Sequence, residues 1–298
     1  MTLPTRIILP LLMLAGRALA DDTDSSDVPI VYRILHYWPN KVAAIIFAAL
    51  YLIVGVVIFW HVGRYRDWWG LCLLSASCMA AGYAVRFVEV AVHDSVGFYI
   101  FQTFFILCAP AAFLAFNYTL YGRVVVRCLG REFSIIRPER VARIFVISDV
   151  TTFLAQSAGN ILSASTSAST NKRGNDLALA GLIGQGVSYA FFLCVAFTAH
   201  IRYIRASPVG TRYQEEWWKV IWLLYFSSVP IIIRSVYRII EFTQGNPGYL
   251  IMHEVYFYCL DGLPLWFAVT CYAYRWPSRY ITERSEGFKM SPRSSTSV

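Results

Sequence analysis

"VAAIIFAALYLIVGVVIFWHV", residues 42–62, runs for twenty-one positions without an acidic, lysine or arginine side chain. A helix that crosses a bilayer needs roughly 20 mostly apolar residues. Six more runs of this kind follow, at about 69–91, 98–121, 144–163, 177–200, 218–240 and 249–274. The chain therefore reads as an all-α, polytopic membrane protein with seven transmembrane helices. Its composition agrees: 57% of the 298 residues are hydrophobic and only 15% are charged, against about 25% charged in soluble domains.

The net charge of +8 raises the question of nucleic acid, and the position of the cations answers it. Seventeen lysines and arginines follow the odd-numbered runs, among them Arg64, Arg66, Arg123, Arg127, Arg131, Arg202 and Arg279; four, Arg33, Lys41, Lys172 and Arg173, lie on the opposite side. Basic residues mark the cytoplasmic side. The expected topology has the N-terminus outside and the C-terminus cytoplasmic, with no nucleic acid partner.

Residues 1–20 have the form of a signal peptide: Arg6, the apolar "IILPLLMLAG" and Ala18-Leu19-Ala20 before two aspartates. The expected organisation continues with an extracellular acidic segment at 21–41, the helical domain at 42–275 and a disordered cytoplasmic tail at 276–298. "SASTSASTNKRGND" reads as a polar loop outside the membrane. Six of the seven cysteines fall in apolar runs and read as small buried hydrophobes, while Cys128 lies among arginines.

Charges at membrane depth are the informative exceptions, since each costs about 2.5–3.5 kcal/mol at a helix centre on the insertion scale. Arg234, Arg238 and Glu241 are spaced four and three apart, so one side of the sixth helix carries all three. Arg86 and Glu89 share a face of the second helix; Glu254, Tyr258 and Asp261 share a face of the seventh. Three polar stripes imply a buried polar chamber open to the outside, or interhelical ion pairs that hold the bundle together. Asp149 lies in the fourth run and is, with Asp261, a candidate proton carrier. Gln102, Asn117, Gln156 and Gln185 are expected to hydrogen-bond between helices.

The stretches "GYAVRFVE", "FVISDVTTFLAQSAGN", "GLIGQG" and "IIIRSVYRIIEFTQGNPGYLIMHEVYFYCLDGLPLW" resemble the fungal lipid-translocating exporter (aminocholesterol-resistance, RTA1-like) family, from about residue 31 to 276. The resemblance implies a multispanning plasma-membrane protein that exports sphingoid long-chain bases or toxic amphiphiles and confers resistance, with one branch linked to porphyrin or haem movement. The polar residues matched to it are Arg86, Gln102, Asp149, Gln156, Gln185, Arg234, Arg238, Glu241, Glu254 and Asp261. Asn160, Met79 and Ala81 depart from its pattern.

Three function classes follow. The first is a translocator of lipids or amphiphiles without its own ATPase, since no phosphate-binding loop is present; its substrate-binding residues are Arg86, Glu89, Gln102, Asp149, Gln156, Gln185, Arg234, Arg238, Glu241, Glu254, Tyr258 and Asp261. Its partners are membrane lipids or amphiphilic small molecules, and cytoplasmic proteins would meet the basic loops. The second is a seven-helix receptor, though the D-R-Y and N-P-x-x-Y signatures are missing. The third, an intramembrane hydrolase, would need histidines around zinc, but His36, His61, His93, His200 and His253 are spread over both faces. The reading is of a non-enzyme with no cofactor.

Overall fold

The computed structural model describes residues 40–92, 96–163, 168–206, 217–244 and 248–281. They form an all-α bundle, with no strand among the described residues. The signal peptide, most of the acidic segment, residues 164–167 of the polar loop and the last seventeen residues lie outside them.

Among the described residues, six helical stretches are long and apolar enough to cross a membrane: Lys41–Tyr65, Trp68–Val88, Phe101–Leu129, Arg140–Ser163, Ser169–Ala206 and Trp218–Gln244. They correspond in order to the first six predicted spans. Helix α1, Lys41–Tyr65, starts at Asn40, whose side-chain oxygen accepts from the Val42 and Ala43 amides, as an N-cap does. It ends where Arg66 turns left-handed at φ 53 and donates to the Val62 carbonyl. Tyr51, Val54, Ile58 and Val62 face inward, three and four apart. Leu52, Val56 and Phe59 face outward and are more than half exposed. Both faces are apolar because the outer one meets lipid tails rather than water.

The second span is divided into α2, Leu71–Ala76, and α3, Met79–Val92. The third is α4, Val96–Val124, extended by a π-helical turn, Val125–Leu129. The fourth and fifth, α5 (Pro138–Ser163) and α6 (Ala168–Ala206), pack along most of their length. Gly159, Gly174 and Gly181 make this possible. A Cβ on Gly159 would lie 2.7 Å from the Gly174 carbonyl oxygen, and one on Gly181 would lie 2.9 Å from that of Thr152. Small residues permit such backbone approach in membranes.

The expected polar loop is corrected here. From Ala168 onward it is the first part of α6, which has 39 residues. At 1.5 Å per residue that helix is about 58 Å long and projects beyond a hydrocarbon core of about 30 Å. Its polar end is held by packing and hydrogen bonds: Asn171 donates to the Ser163 carbonyl, and Asn175 donates to that of Phe242 at 3.0 Å.

After α7, Trp218–Gln244, the seventh span is broken. Short helices α8 (Tyr249–Met252) and α9 (Glu254–Tyr256) precede a π-helical segment, Phe257–Gly262, and α10, Leu263–Tyr274. Pro264 lacks the N–H that would bond to the Leu260 carbonyl, so the regular ladder fails at this point.

The described helical domain continues to residue 281, six residues past the boundary at 275 that the sequence suggested. Trp276 is 1% exposed and its indole donates to Asp67 at 2.9 Å. Pro277–Arg279 forms a further 3₁₀ turn. The cysteine reading also changes. Cys128 is the buried one; Cys78, Cys194 and Cys259 are exposed on the bundle surface, where apolar thiols meet lipid as readily as core.

Candidate functional site

The charged stripes of the second, sixth and seventh spans meet. Arg234 Nη2 lies 2.9 Å from Asp261 Oδ1, and Arg238 Nε donates to the same oxygen at 2.5 Å. Arg238 Nη1 donates to Glu241 Oε2 at 3.0 Å, and the Tyr237 hydroxyl donates to Glu241 Oε1 at 3.2 Å. On the second span, Arg86 donates to Glu254 Oε1 at 3.1 Å; Glu254 Oε2 accepts the backbone N–H of Asn40 at 2.7 Å. The two groups are joined by the ring of Phe257, with the Arg86 guanidinium 4.9 Å and the Arg238 guanidinium 5.5 Å from its centroid. Cations over an aromatic face are held by its quadrupole.

The π-helical segment positions this site. It carries both Phe257 and Asp261, and its wider turn sets the two side chains between α3 and α7. Close packing fixes the segment from behind. The Tyr51 hydroxyl donates to the Gly262 carbonyl at 2.7 Å. Gly262 is required because a Cβ would overlap the Tyr83 hydroxyl. Tyr258 packs on Phe47 and Tyr83, with centroids 4.7 and 5.6 Å away.

One expectation is corrected. The polar stripes converge, but as a packed network rather than an open chamber. Asp261 is fully buried, Arg86 is 2% exposed and Arg234 6%. Direct contact is what a low-dielectric setting demands, because ions separated by a dry gap would each keep their desolvation cost. The described ions balance, with Arg86, Arg234 and Arg238 against Glu241, Glu254 and Asp261. The side chain of Glu89 lies outside the described residues.

Polar capacity in this network is left over. Asp261 Oδ2 is buried with no hydrogen-bond partner among the described residues, and so is Arg234 Nε. The Tyr83 hydroxyl, against Gly262, is a third such atom. A buried acceptor without a donor costs about 1–3 kcal/mol or more when charged, and such atoms invite a ligand.

The other sequence-predicted residues lie elsewhere. Gln156 donates to Gln185 at 3.0 Å across α5 and α6, and Gln102 is buried on α4. Asp149 accepts from the Tyr118 hydroxyl at 2.8 Å. Nearby, a hydrogen-bonded series runs Ser227, Tyr272, Asn117, Tyr189, Ser228, with steps of 3.0, 2.8, 3.1 and 2.6 Å. It ties four helices together and confirms the interhelical role expected of Asn117. Tyr118→Phe removes the donor to Asp149, and a hydrogen bond to a charged group contributes about 1.5–3 kcal/mol. Unfolding in detergent should show a loss of that size, with the helix content of the native state unchanged.

Sequence reasoning missed Phe257, Asn40, Tyr51 and Tyr83. Phe257 is three residues after Glu254 and four before Asp261, so the spacing that selected its neighbours includes it.

The RTA1-like protein family matches residues 72–284, a stretch that holds every charged member of the cluster. The chain belongs to this family. Protein RTM1 of Saccharomyces cerevisiae is 32% identical over 186 residues, covering 62% of this chain and 59% of that protein. Protoporphyrin uptake protein 1 of the same yeast is 27% identical over 286 residues, covering 81% of this chain and 91% of that one. The sphingoid long-chain base transporter RSB1 of strain YJM789 is 26% identical over 204 residues, covering 57% and 53%. The chain thus spans less than two thirds of the length of two of these three relatives. No solved structure matches this RTA1-like chain.

Proposed function

We propose that this protein is a translocator of amphiphiles with an amino-alcohol head group, of the sphingoid long-chain base kind, and that the cluster around Asp261 binds that head group. The observation that carries the reading is the pair of buried atoms without a hydrogen-bond partner among the described residues, Asp261 Oδ2 and Arg234 Nε. One wants a donor and the other an acceptor. An ammonium beside hydroxyls supplies both, and its positive charge suits a carboxylate that already has two guanidinium neighbours only on its other oxygen. The name of the transporter relative agrees with this chemistry. In this reading the packed network is the closed state, and a head group enters by exchanging with Arg238 at Asp261 and Glu241. The N-terminus lies outside, the Arg-rich end faces the cytoplasm, the setting is the plasma membrane, and movement uses no ATPase of its own. Resistance to toxic amphiphiles follows from export.

The test is flux of a fluorescent long-chain 2-amino-1,3-diol across vesicles holding the purified protein. Wild type should exceed protein-free vesicles. Glu241→Gln, which keeps shape and loses charge, should lower the rate about tenfold, the equivalent of one charge-assisted hydrogen bond. Flux no greater than in protein-free vesicles would sink the proposal, and saturable binding without flux would favour a receptor.

A further inference from the structure

The Arg-rich end of the bundle holds a polar cavity that is separate from the packed charge cluster. Three segments far apart in sequence line it: Tyr65 at the end of α1 with Asp67 and Trp69 just after, Arg123 and Arg127 at the end of α4, and Ser278 after α10. Its volume of about 230 Å³ is several times the roughly 30 Å³ that a water occupies in the liquid.

The cavity is built, not incidental. Both Asp67 oxygens are taken, Oδ1 by the Trp69 indole at 3.2 Å and Oδ2 by the Trp276 indole at 2.9 Å. Trp69 is stacked on Phe116 with centroids 5.2 Å apart. The Arg123 guanidinium lies over the Trp69 ring, 5.0 Å from its centroid. That stacking covers one face of the guanidinium and leaves its N–H edge for an acceptor. Among the described residues, neither Arg123 nor Arg127 forms an ion pair or donates a hydrogen bond. The site therefore offers two uncommitted guanidinium forks and a serine hydroxyl, beside a carboxylate whose oxygens already hold donors. Arginine forks match the geometry of phosphate oxygens.

The surroundings say where the phosphate comes from. Trp68 is 74% exposed and Tyr274 81%; such rings settle at the level of lipid head groups. We propose that this cavity binds a phosphate monoester carried by an anionic lipid of the adjacent leaflet. The inference does not depend on the translocated substrate.

The test uses the full chain in nanodiscs of phosphatidylcholine with a few mole per cent of phosphatidic acid, the retained lipid being counted by native mass spectrometry. Phosphatidic acid should be retained over phosphatidylcholine. Each arginine near the surface is expected to contribute about fivefold, so Arg123→Ala with Arg127→Ala should lose about twenty-five-fold. The Arg123→Lys, Arg127→Lys pair should fall between wild type and the alanine pair, because lysine keeps the charge but loses the planar fork and the stacking on Trp69. Arg127 is exposed, so Arg127→Glu alone tests the idea without touching the packed core and should abolish the preference. Inorganic phosphate that displaces the lipid at equal concentration would uphold the phosphate chemistry and assign it to a soluble source. Undiminished phosphatidic acid on the alanine pair or on Arg127→Glu overturns the proposal.

Discussion

Asp261→Ala should cost about 3–5 kcal/mol, the range found when one partner of a buried ion pair is removed. The reason is arithmetic of charge. Asp261 Oδ1 alone serves Arg234 at 2.9 Å and Arg238 at 2.5 Å, and after the substitution only Glu241 remains to offset two buried guanidinium groups. Unfolding of the purified protein in detergent should report the loss, and expression should fall with it. Replacing the whole group with apolar residues of similar size has a different outcome. Buried ion networks exchanged for packed hydrophobes are often neutral or more stable, so Asp261→Leu with Arg234→Met, Arg238→Met and Glu241→Met should recover most of the stability. Flux of the amino diol should stay absent in that variant, because head-group recognition is gone while the bundle remains. If it transports as wild type does, the charges serve only to hold helices together.

The seven spans were legible because lipid imposes one rule throughout: a spanning segment must be apolar and must satisfy its own backbone. The convergence of charges was legible for the same reason, since Arg234, Arg238 and Asp261 have no cheap place except against one another. What the sequence hid depends on contacts that no local rule encodes. The residues from Ala168 to Asn175 look like a loop because Ser, Thr, Asn and Gly favour turns; they are helical because Gly174 and Asn171 fit against the end of α5. The break at Phe257–Gly262 needed both Pro264 and the Tyr83 hydroxyl pressed against Gly262. The packed state of the cluster was hidden as well, since spacing puts side chains on a face but does not say how far apart two faces stand. The cavity lined by Asp67, Arg123 and Ser278 draws on positions more than 200 residues apart, beyond the reach of any spacing argument.

Gly174→Val should be the most damaging substitution outside the charge cluster. A Cβ at this position would lie 2.6 Å from the Leu162 carbonyl carbon and 2.7 Å from the Gly159 carbonyl oxygen. Both are backbone atoms, so no side-chain rotation relieves the overlap and α5 must move away from α6. Overpacking commonly costs 1–3 kcal/mol, occasionally more; a clash with the fixed backbone of α5 belongs near the upper end, about 3 kcal/mol. Any share of the displacement that α6 takes up strains the bond from Asn175 to the Phe242 carbonyl, which ties α6 to the helix that carries Arg238 and Glu241. Loss of flux is therefore expected together with loss of stability. Gly186, on the same helix, supplies the contrast. A Cβ there meets nothing within 4 Å, so Gly186→Ala should gain up to about 1 kcal/mol from helix propensity alone. Unfolding of the two variants side by side in one detergent gives opposite signs if close backbone contact, rather than the flexibility of glycine, is what joins α5 to α6. Equal effects of the same sign would show that the interface tolerates separation.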